Sequence, residues 1–312
     1  MKLALAQLEI SGLVRRNLAS MCVTIRAAAA QAADVVVFPE SSLTGYLGIS
    51  LEALDALDMP EIHRSLGVLQ ALCRELRIAA VSGQYFKRCG RWYNNVVFIG
   101  ADGELRGSYD KCHLVDQDTY HVAPGADPPS VFEFAGARVS LGVCHDIRYP
   151  EHVRWAAING AQVHFHVFYG ARHRSDLRDQ QIYDAHLATR AAENGVFLVA
   201  PNVAIDEQMV RSQVRDPIGH LVARAESWSE TVVLCEIDPA VAGDGWVAKR
   251  RGDLYAFHPH REAPASYFER AVWEKKRYML DHERSLLGSP SGATHLEGAV
   301  SIPGAQPTDR KR

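Results

Sequence analysis

The feature that most constrains this chain is its alternation of short apolar runs with longer helical stretches. The runs Leu3 to Ile10, Asp34 to Phe38, Ile78 to Tyr85, Trp92 to Ile99, Val163 to Phe168 and Phe197 to Asn202 have strand length. Between them, Asn17 to Ala33, Ile62 to Leu76 and Ser175 to Asn194 carry helical spacing. Pro150 stands at a first helical position ahead of Glu151 to Asn159, and Gly160 closes that helix. Gly90 marks a turn between two runs, Gly107 to Lys111 is extended, and Val131 to Phe134 with Ala137 to Val143 reads as a hairpin around Gly136. His220 to Arg224 and Thr231 to Ile237 are the last strands. Hairpins mixed with crossovers predict an α/β domain with two packed sheets or one large mixed sheet. A chain of 312 residues buries enough surface to hold such a domain together without disulfides or metal.

Composition narrows the function classes. Lys and Arg number 34 against 37 Asp and Glu, a net charge of −3, which gives no electrostatic case for nucleic acid or an anionic membrane as partner. No apolar run reaches the ~18 residues of a membrane span, and the N-terminus lacks the pattern of a signal peptide. The cysteines, Cys22, Cys73, Cys89, Cys112, Cys144 and Cys235, form no CxxC pair. They read as free thiols in a reducing, cytoplasmic compartment. From about Gly288 the chain turns to Gly, Ser, Pro and Thr, the composition of a disordered tail.

Ligands in α/β folds sit beyond the carboxyl ends of strands. Glu40 follows the run ending at Phe38-Pro39, Lys111 ends the segment Ser108-Tyr109-Asp110, and Cys144 ends the strand Val139 to Val143. Converged at one rim, the three make chemical sense. A carboxylate takes the proton of a thiol, the thiolate attacks a carbonyl carbon, and an ammonium steadies the oxyanion. Taken singly, each has a plain structural reading, and separations of 71 and 33 residues carry no template of their own.

The surrounding segments supply one. Val37-Phe38-Pro39-Glu40, Tyr109-Asp110-Lys111-Cys112-His113-Leu114 and Gly142-Val143-Cys144-His145-Asp146-Ile147-Arg148-Tyr149-Pro150-Glu151 resemble, in order, three motifs of the nitrilase superfamily, the carbon–nitrogen hydrolases. Arg190-Ala191-Ala192-Glu193-Asn194, Ser212 with Asp216-Pro217-x-Gly219, and Arg250-Arg251-x-x-Leu254-Tyr255 continue the likeness. It covers residues 1–258. The resemblance implies a four-layer αββα sandwich, which family members pair into homodimers or higher homo-oligomers. It implies an enzyme without cofactor or metal, an amidase or carbamoylase. Such an enzyme hydrolyses a linear amide or an N-carbamoyl group through a thioester on Cys144. Glu40 is then the base, Lys111 the oxyanion stabiliser, and the backbone N–H of His145 part of the oxyanion hole. Two alternatives are a true nitrilase and a binding protein that keeps the fold without turnover. Residues 259–287 read as a helical, interface-forming extension and 288–312 as the tail.

Three departures stand out. Many family members carry a second Glu six residues before a Pro-Gly pair; here Pro124-Gly125 places Asp118 there, with Asp116 as the other candidate. His145 follows the nucleophile where the family has a bulky residue, so an imidazole either fills that space or meets the substrate. The strand Val163-His164-Phe165-His166-Val167-Phe168 puts His164 and His166 on one face; hydrogen-bonded core histidines are the preferred reading over metal ligands. The next loop carries Arg172, His173 and Arg174, which suit a substrate carboxylate.

Overall fold

The computed structural model describes residues 1–115, 118–170, 178–206, 208–243, 247 and 249, with side chains 178–180 left out. One compact unit spans Met1–Arg250. The segments expected at 259–287 and 288–312, and the motif at Arg250-Arg251, lie outside the described residues.

In chain order the elements are β1 (Lys2–Gln7), α1 (Val14–Ala30), β2 (Val35–Val37), α2 (Met59–Leu76), β3 (Ala79–Arg88), β4 (Arg91–Ile99) and β5 (Leu105–Asp110). There follow α3 (Asp118–His121), β6 (Val131–Phe134), β7 (Ala137–Val143), α4 (Pro150–Ile158), β8 (Val163–Val167) and α5 (Arg178–Asn194). The last are β9 (Phe197–Ala200), β10 (Gln213–Arg215), β11 (Leu221–Arg224) and β12 (Thr231–Glu236). They form two six-stranded sheets, ordered β12-β1-β2-β3-β4-β5 and β11-β10-β9-β8-β7-β6. Both are mixed: β1, β2 and β3 run parallel, as do β7, β8 and β9, and the outer strands pair antiparallel.

Alternation along the strands builds the layers. In β1, Leu3 and Leu5 join Val37, Val81, Phe98, Val139, Val143 and Phe165 in the core that contains both sheets. Ala4 and Ala6 turn the other way, with Val36 and Ala80, onto Met21 and Ile25 of α1 and Ile62 and Leu69 of α2. Small residues on that face admit the helices closely. The order helices, sheet, sheet, helices is the four-layer αββα sandwich.

Phe38 follows β2 and still donates to Val81 O at 3.0 Å; Pro39, having no N–H, ends the ladder, and Glu40 lies one residue beyond. Ser41 then takes φ +53°, a left-handed turn that sends the chain away from the strand. Gly83 on β3 makes this possible, because a Cβ there would stand 2.5 Å from the Ser41 nitrogen and 2.9 Å from the Pro39 oxygen. Asp58 caps α2 by accepting from Glu61 N at 3.1 Å.

Candidate active site

Glu40 and Lys111 follow strands of the first sheet, and Cys144 follows β7 of the second. All three are buried. Lys111 Nζ donates to Glu40 Oε1 at 2.7 Å and to Asp118 Oδ2 at 3.2 Å. Glu40 is held on its other sides too: Asn94 Nδ2 donates to Oε1 at 2.8 Å and the Tyr169 N–H to Oε2 at 2.8 Å. The last bond crosses from the end of β8, so the two sheets meet through this carboxylate.

Cys144 has φ +43° and opens a short 3-10 turn, Cys144–Arg148. A left-handed conformation at a residue with a Cβ costs about 1–3 kcal/mol and persists only where its surroundings impose it. They do so here. The His166 Nε2–H points at the Cys144 carbonyl, 3.0 Å away. Arg190 of α5 donates to the carbonyls of Ile147 at 3.1 Å and Arg148 at 3.2 Å. Asp146 accepts from Tyr109 Oη at 3.0 Å, from the His113 N–H at 2.9 Å and from His113 Nδ1 at 2.6 Å. This fastens the Cys144 turn to the segment that carries Lys111.

The electrostatics suit a resting thiol. Burial pushes the Cys144 pKa well up, the Glu40 charge and its hydrogen bond raise it further, and Lys111 and the Tyr169 backbone act against this. Burial alone would lower Lys111, but the Glu40 and Asp118 charges more than offset it and keep the ammonium charged. The Cys144 proton therefore needs an acceptor at the moment of attack, and Glu40, the carboxylate whose charge bears on the thiol, is the group to take it.

Asp118 opens α3 and is 1% exposed. Beyond Lys111 it accepts from Tyr85 Oη at 2.7 Å and Asn94 Nδ2 at 3.3 Å. Asp116, the other candidate, lies outside the described residues, as do Arg172, His173 and Arg174. His145 is half-buried, edge-on to Tyr149 at 5.8 Å. Burial, then the Lys111 and Arg148 charges, push it down to about 4, so it is neutral near pH 7 and offers no cation to a substrate carboxylate.

Four contributors are missed by sequence reasoning. Asn94 bridges Glu40 and Asp118, and Tyr46 lies with its ring 5.6 Å from Lys111 Nζ and stacked on Tyr169 at 4.8 Å. Tyr85 holds Asp118, and Asp146 holds the turn. The pair Asn94-Asn95 inside an otherwise apolar strand was the available signal.

The downstream segments act structurally. Arg190 supports the turn, Ser212 Oγ accepts from Asn202 N at 2.9 Å, and Asp216 caps the turn at Gly219 through the N–H groups of Ile218 and His220.

Comparison with known proteins gives a consistent picture. The carbon–nitrogen hydrolase family model matches residues 2–244. The omega-amidase NIT2 of Homo sapiens is 29% identical over 280 residues, covering 82% of this chain and 96% of that protein. The Bos taurus omega-amidase NIT2 is 30% identical over 257 residues, covering 76% and 88%. Among solved structures, an amidase from Nesterenkonia sp. superposes with TM-score 0.72 at 24% identity, covering 82% of this chain and 95% of that one. A cysteine-to-alanine mutant of the Nesterenkonia sp. AN1 amidase in complex with butyramide gives the same TM-score and identity, covering 82% and 96%.

Proposed function

The chain belongs to the carbon–nitrogen hydrolase family, a thiol-dependent enzyme for amide C–N bonds, and we propose that Glu40, Lys111, Asp118 and Cys144 divide the reaction among them. The observation that supports this reading best is one buried carboxylate, Glu40, bonded to Lys111 while its charge bears on the buried Cys144 thiol.

In the first half-reaction Cys144 Sγ bonds to the amide carbon as its proton passes to Glu40. The oxyanion is met by the Lys111 ammonium and the His145 N–H. Collapse of this intermediate returns the proton to nitrogen, the C–N bond breaks, ammonia leaves, and a thioester remains on Cys144. Water then gives a proton to Glu40 and attacks the thioester carbon; the C–S bond breaks and the proton returns to sulfur. Asp118 holds Lys111 as a second carboxylate beside Glu40.

The substrate class is a small linear amide or N-carbamoyl compound. The names of the omega-amidase relatives and the butyramide complex of the amidase neighbour lie in that class. Arg172 and His173 in the loop after β8 would meet an acidic substrate group. The chain works as a homodimer or higher homo-oligomer. Exposed Trp155 and Ile158 on α4 and Ile182 on α5 support this, as apolar side chains suited to pairing two copies. Free cysteines fit a cytoplasmic setting. Among the described residues no helix is long and apolar enough to cross a membrane.

The test is ammonia release from a panel of linear amides and N-carbamoyl acids, with Cys144→Ala beside the wild type. Release by the wild type alone is the expected result. Equal release by both proteins, or none by either, defeats the assignment.

A further inference from the structure

Behind the nucleophile, between the second sheet and α4, three imidazoles occupy a layer where apolar side chains would ordinarily pack. His164 and His166 come from one face of β8, and His152 from the first turn of α4. All three are buried, with exposures of 0%, 0% and 5%. One ring nitrogen from each lies within 4.8 Å of the others. Gly142 of β7, paired in register with His166, leaves the space between them open. A Cβ on Gly142 would stand 2.5 Å from His152 Nε2, 2.5 Å from His166 Nδ1 and 2.7 Å from His164 Nε2, so the three nitrogens converge on one point.

The hydrogen bonds on the far sides of the rings say which nitrogens are free to ligate. A carbonyl oxygen only accepts, so the contact of His166 Nε2 with Cys144 O at 3.0 Å puts the proton on Nε2 and a lone pair on Nδ1. Tyr109 Oη donates to Asp146, so it can accept from His152 Nδ1 at 3.4 Å, which leaves the lone pair on His152 Nε2. His164 Nδ1 meets Ser140 Oγ at 2.7 Å. Each inward nitrogen thus has an outward partner of the kind that orients metal-bound histidines.

Protons alone do not satisfy this arrangement. A proton on His164 Nε2 bridges the 3.1 Å gap to His166 Nδ1. His152 Nε2 then remains buried with no hydrogen-bond partner. A cation held among the three nitrogens, clear of the Gly142 Cα, engages all three.

We propose that His152, His164 and His166 form a closed tri-imidazole site for a late first-row divalent metal, zinc foremost, seated behind the Cys144 turn. Imidazole suits zinc, and the three nitrogens, all within 4.8 Å of one another, would close on the ion to the Zn–N distance of about 2.0–2.1 Å. The site is separate from the amide chemistry: His164 and His166 face α4, which carries His152, and the cluster reaches the nucleophile's turn through the His166–Cys144 carbonyl bond and through His152, Tyr109 and Asp146. Its effect is to fix the ring that holds the strained Cys144 backbone.

Because the ligands are buried, the metal enters as the chain folds. The test is therefore zinc content of protein produced in zinc-supplemented medium and dialysed against chelator, read by elemental mass spectrometry. The expected result is close to one zinc per wild-type chain. His152→Phe, which keeps a ring of similar bulk, and His164→Gln, which keeps polarity, should each lower retention at least about tenfold. Cobalt supplied in place of zinc should give visible ligand-field bands in the wild type, without a thiolate charge-transfer band. Wild-type protein without stoichiometric metal overturns the proposal. So does equal retention by either folded variant, or a thiolate band that places the metal on Cys144. The wild-type stoichiometry decides even if both variants fail to fold.

Discussion

Lys111 Nζ and Glu40 Oε1 lie 2.7 Å apart, and neither side chain exposes any surface. A buried pair of this kind is matched only while both members are present, because each charge alone would bear its full desolvation cost. Lys111 also serves Asp118, so one ammonium stands against two carboxylates.

Lys111→Met should therefore do more than abolish turnover. It leaves Glu40 and Asp118 without a cation and should destabilise the fold by about 3–5 kcal/mol. Adding Glu40→Gln to Lys111→Met should restore part of that loss although activity stays absent. Urea denaturation of the single and double variants measures the coupling; strictly additive losses would show that the pair contributes nothing as a pair.

Asp118 is expected to act through Lys111. Asp118→Asn keeps the acceptor for Tyr85 Oη and removes the charge, so kcat should fall by roughly 10–100-fold with KM little changed. Asp118→Ala also strands the buried Tyr85 hydroxyl and should cost about 1–3 kcal/mol of stability, which Asp118→Asn should not. Steady-state kinetics beside thermal melts separate the two effects.

Acid should weaken the metal-free protein well above the pH at which carboxylates protonate. Burial, then neighbouring positive charge, lowers His145 from 6.5 to about 4 in the folded chain. Burial, then the neighbouring His152, lowers His166 to about 3. Below pH 6.5 the unfolded chain takes up protons that the folded chain refuses. The stability these residues contribute is thus whole above 6.5 and is lost as pH falls through the folded values. A fully buried group such as His166 gives a slope of up to about 1.4 kcal/mol per pH unit inside its window, and the half-buried His145 gives less because solvent screens it. Asp146 behaves similarly at lower pH. Burial would raise it, but the His113 hydrogen bond and nearby imidazoles bring it to about 2, and its contribution is lost only as pH falls through that value. Denaturant midpoints from pH 7 to 4 should decline steadily for the wild type and less steeply for His145→Phe.

Gly83→Ala tests the close approach behind Glu40. Its methyl group would meet two backbone atoms, which cannot rotate away. The expected loss is about 1–3 kcal/mol together with a fall in kcat as Glu40 is displaced. Unchanged kcat in a folded variant would mean that the turn accommodates the methyl elsewhere.

Much of this architecture is legible in the residues, for physical reasons. Buried strands such as Val35–Val37 and Val163–Val167 are continuous or alternating apolar runs, and helices such as Met59–Leu76 carry their own spacing and cap. Strand β10, Gln213–Arg215, is three residues with no such signature and is placed by its neighbours β9 and β11. The four-residue α3 is likewise set by tertiary contacts of Asp118. In the site, Glu40, Lys111 and Cys144 are recognisable from their motifs. Asn94, Tyr46 and Tyr85 are not, because β4, the loop after β2 and β3 bring them together only in the fold, without local sequence marking which polar groups will meet. Arg172 and His173 lie outside the described residues.

The Tyr169 N–H to Glu40 bond spans the seam between the sheets, with the acceptor on one slab and the donor beside the nucleophile on the other. A slight parting of the slabs would separate acid from sulfur while leaving every helix and ladder intact. In rising urea, catalysis should therefore fail ahead of the loss of secondary structure, so that inactivation serves as the more sensitive gauge of how tightly the two halves are clasped.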